Sequence, residues 1–348
     1  MELFRSISSY PSAGLIQDKA GNLYGTTQSG GAHNAGNVFS LTTNGTITSV
    51  YDFTGGSDGG APVSDLISDA KGNLYGTAQS GGGGDGVVFK LAPDGTETIL
   101  HAFSGDEDGK GPTAGLVMDR KGNFYGTTPL GGLCSVDAGC GTVFKLTPNG
   151  VETILHKFSC FDDGCYPAAG VILDRKGNLY GTTASNNGNV FEITASGAFQ
   201  VLHRFGGNGD GNQALGRLVR DDDGNLYGTT EIGGTGGSGT VFRLAPNGTE
   251  TILHSFAGTD GSIPGAGLIR DSKGNLYGTA ANGGAGCGTV FKLSPHGQES
   301  TLHSFFPNPY VDGCRPLGGL LLTKNGNLYG TTYLGGTANT GTVFVVTP

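Results

Sequence analysis

The chain has 348 residues, 68 of them Gly, with no Trp, 14 % charged residues and a formal charge of −9. That acidity excludes a nucleic-acid partner, which a polyanion would repel, and Gly without a three-residue period excludes collagen. Hydrophobic residues at 36 % exclude disorder, and no apolar run is long enough to span a bilayer.

The opening Met1-Glu2-Leu3-Phe4-Arg5 lacks the charged and apolar regions of a secretory signal. Leu3-Phe4-Arg5-Ser6-Ile7 instead matches Ile-Leu-His-Ser-Phe, a pattern that recurs later in the chain. From there the sequence is repetitive. Asn-Leu-Tyr-Gly-Thr, with Phe for Leu once, occurs seven times, its tyrosines at Tyr24, Tyr75, Tyr125, Tyr180, Tyr227, Tyr277 and Tyr329. A period of about fifty residues marks a repeat architecture.

Each unit carries four short apolar segments bounded by Gly, Asn, Asp or Pro, the signature of strands. In the sixth they are Ala266–Asp271, Asn275–Ala280, Thr289–Leu293 and Glu299–Phe305. Lys-Gly-Asn and Pro-Asn-Gly form tight turns between the first and second and the third and fourth segments. Seven such units predict one all-β domain over residues 1–348, a seven-bladed β-propeller with four antiparallel strands per blade. The last unit stops at its third strand, Val343-Phe344-Val345-Val346. Residues 2–7 are therefore expected to pair with 342–346, completing the last blade and closing the ring.

Asn-Leu-Tyr-Gly-Thr-Thr, then Gly-Gly, then Gly-Thr-Val-Phe-Lys-Leu resembles the Gloeobacter/Verrucomicrobia repeat of extracellular bacterial proteins. The resemblance covers essentially the whole chain and implies an exported protein, but it carries over no catalytic residues. Many relatives end in a surface-sorting segment; this chain ends at Pro348 without one.

Irregular loops on a rigid scaffold are where sites lie. The site is therefore expected among the longer loops, between second and third strands and between blades, because the short turns leave little room. Repeated features are read as structural: His101, His156, His203, His254 and His303 as packing, and Asp58, Asp108, Asp163, Asp210, Asp260 and Asp312, each before Gly, as turn formers. Asp221-Asp222-Asp223-Gly224-Asn225 mimics a calcium loop but is one version of the turn found in every unit. No metal-binding spacing or cofactor motif is present, and neither ligand is expected.

Breaks in the repeat are more informative. Gly14, Gly115, Gly170, Gly267 and Gly319 occupy one position of the first strand, where the second and fifth units have Asp65 and Arg217. Loop exceptions are His33, Asn34, Asp137, Phe161, Asp162, Tyr166, Glu231, Tyr310 and Tyr333. Asp65, Arg217, His33, Tyr166, Glu231 and Tyr333 form the candidate ligand set. The expected function is a monomeric binding module for an extracellular glycan, peptide or surface polymer. Two of Asp65, Asp137 and Glu231 could instead serve a polysaccharide hydrolase or lyase, which needs paired carboxyls. A structural surface protein is the third reading.

Six cysteines point to an oxidising compartment. Cys140 and Cys287 both precede Gly-Thr-Val-Phe, and Cys165 and Cys314 both follow Asp-Gly. The coincidence predicts Cys140–Cys165 and Cys287–Cys314, leaving Cys134–Cys160. The alternatives are six free thiols or a pair of local bridges, Cys134–Cys140 and Cys160–Cys165.

Overall fold

Six repeats each fold as a four-stranded antiparallel sheet in sequential strand order, the seventh supplies three strands of another, and the seven sheets are the blades of a β-propeller. The computed structural model describes residues 2–4, 10–105, 107–132, 134, 139–185, 187–206, 209–307 and 312–348, with no helix among them.

Blade two shows why the repeated motif takes this form. Its strands are Ile67–Ser68, Leu74–Ala78, Val87–Leu91 and Glu97–Ala102. Asn73 donates its side-chain amide to Asp69 at 2.6 Å, and the Tyr75 hydroxyl donates to the same carboxylate at 3.0 Å, which locks the first hairpin. Leu74 is buried in the core. At Gly76 a Cβ would lie 2.8 Å from the Phe89 ring, so only glycine admits that ring. Thr77 donates to the Ala114 carbonyl of the next blade at 3.2 Å. Asn, Leu, Tyr, Gly and Thr thus each have a separate task.

The third strands supply a buried Phe to every blade. It meets, edge to face, the Phe that follows the fourth strand of the preceding blade: Phe103 and Phe144 at 5.3 Å, Phe256 and Phe291 at 5.1 Å. Truncating one such ring to Ala would cost about 3–5 kcal/mol. The fourth strands carry a β-bulge that the sequence pattern does not announce. In blade two Val88 faces His101 while Phe89 faces Ile99, leaving Leu100 unpaired. The same shift occurs in blades one, three, five and six. A bulge re-aims the side chains that follow it, here the histidine.

The chain divides into two compact units. One comprises residues 16–186 and 191–200, and the other residues 1–15, 187–190 and 201–348. Within the second, Glu2–Phe4 pairs with Thr342–Val346 in the register Glu2 to Val345, Leu3 to Phe344 and Phe4 to Val343. The N-terminal strand is thus the fourth strand of the last blade; residues 5–7 of the expected pairing lie outside the described residues. First strands are shorter than expected. In blade six only Ile269–Arg270 is strand.

Candidate functional site

The loops between blades share a backbone device. The residue at the head of each first-strand segment, usually before Pro, lies in the left-handed region: Tyr10, Ala61, Tyr166, Gln213, Ile263 and Arg315 have φ between 51° and 67°. Such a conformation costs a non-glycine residue about 1–3 kcal/mol and persists only when its surroundings hold it. Two backbone hydrogen bonds do so. Arg315 donates to Cys287 O at 2.9 Å, in the preceding blade, and accepts from the Tyr333 amide at 2.9 Å. Gln213 repeats this with Asn187 O and the Glu231 amide, and Tyr166 with Cys140 O and the Ala184 amide. The repeat therefore fixes the backbone and leaves the side chain free to differ.

In the second unit two of these positions, Tyr10 and Arg315, build an aromatic stack with Tyr333. Tyr10 and Tyr333 lie face to face with ring centroids 4.9 Å apart and planes 30° apart. The Arg315 guanidinium sits 5.9 Å from the Tyr333 centroid. Arg315 is exposed, the tyrosines are half-buried, and the Cys287–Cys314 disulfide adjoins Arg315 along the chain. Tyr333 was singled out from the sequence; Tyr10 and Arg315 were not. Their signal was present in Tyr10-Pro11 and Arg315-Pro316, equivalent X-Pro steps whose X residue varies.

The remaining candidates are dispersed. Asp65, His33 and Tyr166 belong to the first unit; Arg217, Glu231 and Tyr333 belong to the second. His33 is exposed in the loop between second and third strands, and Tyr166 is 40 % exposed. Asp65 abuts Gly115 of the following blade, where a Cβ would lie 3.0 Å from the Asp65 Cβ. Arg217 meets Gly267 in the same way, and its Nε is buried without a hydrogen bond. Burial alone raises the Glu231 carboxyl, which lies over Gly265. Asp137 and Tyr310 lie outside the described residues.

The cysteine pairing corrects part of the sequence expectation. Cys287 and Cys314 are bonded, but the other four form the local bridges Cys134–Cys140 and Cys160–Cys165, not Cys140–Cys165 and Cys134–Cys160. The repeat argument brought the right loops together, since Cys140 Sγ and Cys160 Sγ lie 2.7 Å apart. It failed on the partner because each loop of blade three carries a second cysteine. Cys160, at φ 65° with its amide bonded to Gly164 O, folds back on Cys165. Disulfides are characteristic of oxidising compartments.

The repeated aspartates before Gly are engaged in their loops. Asp108 accepts from the Ser104 amide and hydroxyl, and Asp163 from those of Ser159. Each also faces the histidine of the strand before it: His101 to Asp108 at 3.3 Å, His156 to Asp163 at 3.0 Å, His254 to Asp260 at 2.8 Å. In several blades a Glu that opens the next fourth strand joins them. Burial, then the neighbouring aspartate, pushes Glu97 up to about 7 and Glu152 and Glu250 up to about 8.

The short turns have more room than expected. In the first unit a cleft of about 640 Å³ opens between the first hairpins of blades one and two, bordered by Asp18, Lys19, Tyr24, Asp69, Lys71 and Pro93. Its carboxylates are already engaged, however: Asp18 and Asp69 each accept from an Asn side chain, a Tyr hydroxyl and backbone amides.

Among solved structures the chain is similar to the extracellular domain of a putative hybrid two-component system from B. thetaiotaomicron. The TM-score is 0.66 at 11 % identity, covering 98 % of this chain and 39 % of that one. It is also similar to a gluconolactonase from Xanthomonas campestris, with TM-score 0.52, 16 % identity and coverage of 99 % and 89 %. A putative 6-phosphogluconolactonase from Bacteroides uniformis gives TM-score 0.56 at 17 % identity, covering 86 % of each chain. At such identities the likeness is one of fold. No curated protein sequence matches. The model of the Gloeobacter/Verrucomicrobia repeat matches residues 4–186 and 183–348, so the chain belongs to that family.

Proposed function

We propose that this protein is a secreted, carbohydrate-binding β-propeller module that recognises a glycan with the loops between its blades. The stack of Tyr10, Tyr333 and Arg315 carries the reading. A sugar ring presents an apolar C–H face and a rim of hydroxyls. Stacked aromatics cover the first, and an exposed guanidinium donates to the second or pairs with a uronic carboxylate. Tyr10 and Arg315 are left-handed residues, and the Tyr333 amide is bonded to Arg315 O, which pre-organises the three side chains and lowers the entropy lost on binding. Disulfides flanking the same loops fit an extracytoplasmic setting. Arg217 and Asp65, which replace Gly just before the first strands of their blades, are further candidate contacts.

A hydrolase or lyase reading has one supporting observation, the buried and raised carboxyl of Glu231, the property a general acid needs. One experiment separates the two. The purified protein is screened against soluble polysaccharides by affinity electrophoresis, with released reducing ends assayed in the same samples. Retardation without product release supports the binding module. Product release abolished by Glu231→Gln supports the enzyme, and no retardation by any polysaccharide defeats both.

A further inference from the structure

We propose that two clusters, His101–Asp108–Glu152 and His203–Asp210–Glu250, are binding sites for a zinc-class divalent metal ion, each tying the fourth strand of one blade to that of the next. His101 Nε2 lies 3.3 Å from Asp108 Oδ2 and 3.6 Å from Glu152 Oε1. In the second cluster the corresponding distances from His203 Nε2 are 3.4 and 3.7 Å. These are long for hydrogen bonds. Ligand atoms bound tetrahedrally at about 2.0–2.2 Å from one zinc ion stand about 3.3–3.6 Å apart. The three ligand atoms of each cluster lie within 4.8 Å of one another.

A second observation points the same way. His101 Nε2, Glu152 Oε1, His203 Nε2 and Glu250 Oε1 are shut off from solvent, and none makes a hydrogen bond. Buried polar atoms normally have partners; here His101 Nε2 and Glu152 Oε1 face each other at 3.6 Å, and in the second cluster His203 Nε2 faces the Glu250 carboxylate through Oε2, its other oxygen being the orphan.

The other blades act as internal controls. Between blades three and four, Phe199 stands where the glutamate would be and stacks on His156 at 3.7 Å; His156 then closes to a 3.0 Å hydrogen bond with Asp163. Between blades five and six the glutamate is present, but Thr301, which replaces an Ile, donates to Glu299 Oε1 at 3.2 Å. There His254 closes on Asp260 at 2.8 Å. Between blades one and two Tyr51 replaces the histidine and donates to Asp58 at 3.1 Å. The His254, Asp260 and Glu299 ligand atoms also lie within 4.8 Å of one another, but among these interfaces the wider His–Asp spacing of 3.3–3.4 Å occurs where all three groups are present and no hydroxyl engages the glutamate.

One imidazole and two carboxylates suit zinc better than magnesium or calcium, which take oxygen ligands. The ligand side chains keep 9–18 % of their surface exposed, a path for entry and a place for a water as fourth ligand. Because each set spans two blades, metal binding adds to folding stability.

The test uses tag-free protein stripped with a chelator, re-loaded with zinc sulfate, desalted and assayed for bound metal. Wild type should retain two ions per chain. Glu152→Gln and Glu250→Gln should each retain one and the double variant none, with the zinc-dependent rise in melting temperature lost in step. Circular dichroism of the stripped proteins checks that the variants fold. Thr301→Ile, which frees Glu299, should raise the count to three. No retained zinc in wild type, unchanged retention in the folded double variant, or a count of two in Thr301→Ile would each overturn the proposal.

Discussion

The turn inside each blade and the loop between blades are both repeated, yet they repeat different things. In the first hairpin the side chains recur: Asp119 holds the Lys121 and Asn123 amides, the Asn123 side chain and the Tyr125 hydroxyl, and Asp18, Asp69, Asp221 and Asp271 do much the same. In the connecting loop only the backbone recurs. The left-handed residue keeps its main-chain bonds, one at Tyr10 and at least two at each of the others, while its side chain changes from Tyr10 to Ala61, Tyr166, Gln213, Ile263 and Arg315. A turn held by side chains leaves none to vary; a loop held by its backbone frees them to differ.

The largest expected effect breaks the frame that both regions depend on. Deleting residues 1–8 removes the strand paired with Thr342–Val346 and exposes its edge. Melting should fall by about 10 °C, with increased aggregation at high protein concentration. Unchanged calorimetric melting of the truncated protein would show that this pairing contributes little.

Asp119→Ala then tests the side-chain-held turn. It removes one acceptor serving four donors, at an expected cost of about 2–3 kcal/mol in urea unfolding, while leaving ligand binding intact. A cost below about 0.5 kcal/mol would mean that the hairpin backbone is self-sufficient, as an ordinary surface position is.

The smallest effect concerns Glu97, which faces the loop leading into blade two. Burial and Asp58 raise its carboxyl to about 7 from an ordinary 4.5. The folded protein keeps Glu97 neutral while the unfolded chain ionises it. Its contribution to stability is therefore full below pH 4.5, declines as pH rises to about 7, and is absent above. Glu97→Gln should match wild type at pH 4 and melt about 1–2 °C higher at pH 8, a small gain because the group is partly solvent-screened. Equal melting at both pH values would remove the electrostatic account of this contact.

Much of the fold was legible because the repeat states it seven times. Tyr24 and its six equivalents count the blades, and Leu3-Phe4 identifies the missing strand. The site was legible only in part. Tyr333 stood out as a departure from the repeat, but its partner Tyr10 did not, since a left-handed residue before Pro runs against local preference and is imposed by bonds to a neighbouring blade. The His–Asp–Glu clusters were hidden for a similar reason. A bulge turns the histidine towards a glutamate about fifty residues away, which no local spacing reveals. Cysteine pairing failed where two cysteines per loop gave each sulfur a nearer partner.

The most direct test of the binding account compares three proteins in one affinity-electrophoresis experiment, using the polysaccharide that retards wild type most. The loop-held stack predicts that Tyr333→Ala loses about tenfold or more in affinity, as for removal of a buried aromatic anchor, while Asp119→Ala keeps wild-type affinity despite its lower stability. Equal retardation of Tyr333→Ala and wild type, or loss confined to Asp119→Ala, would contradict it.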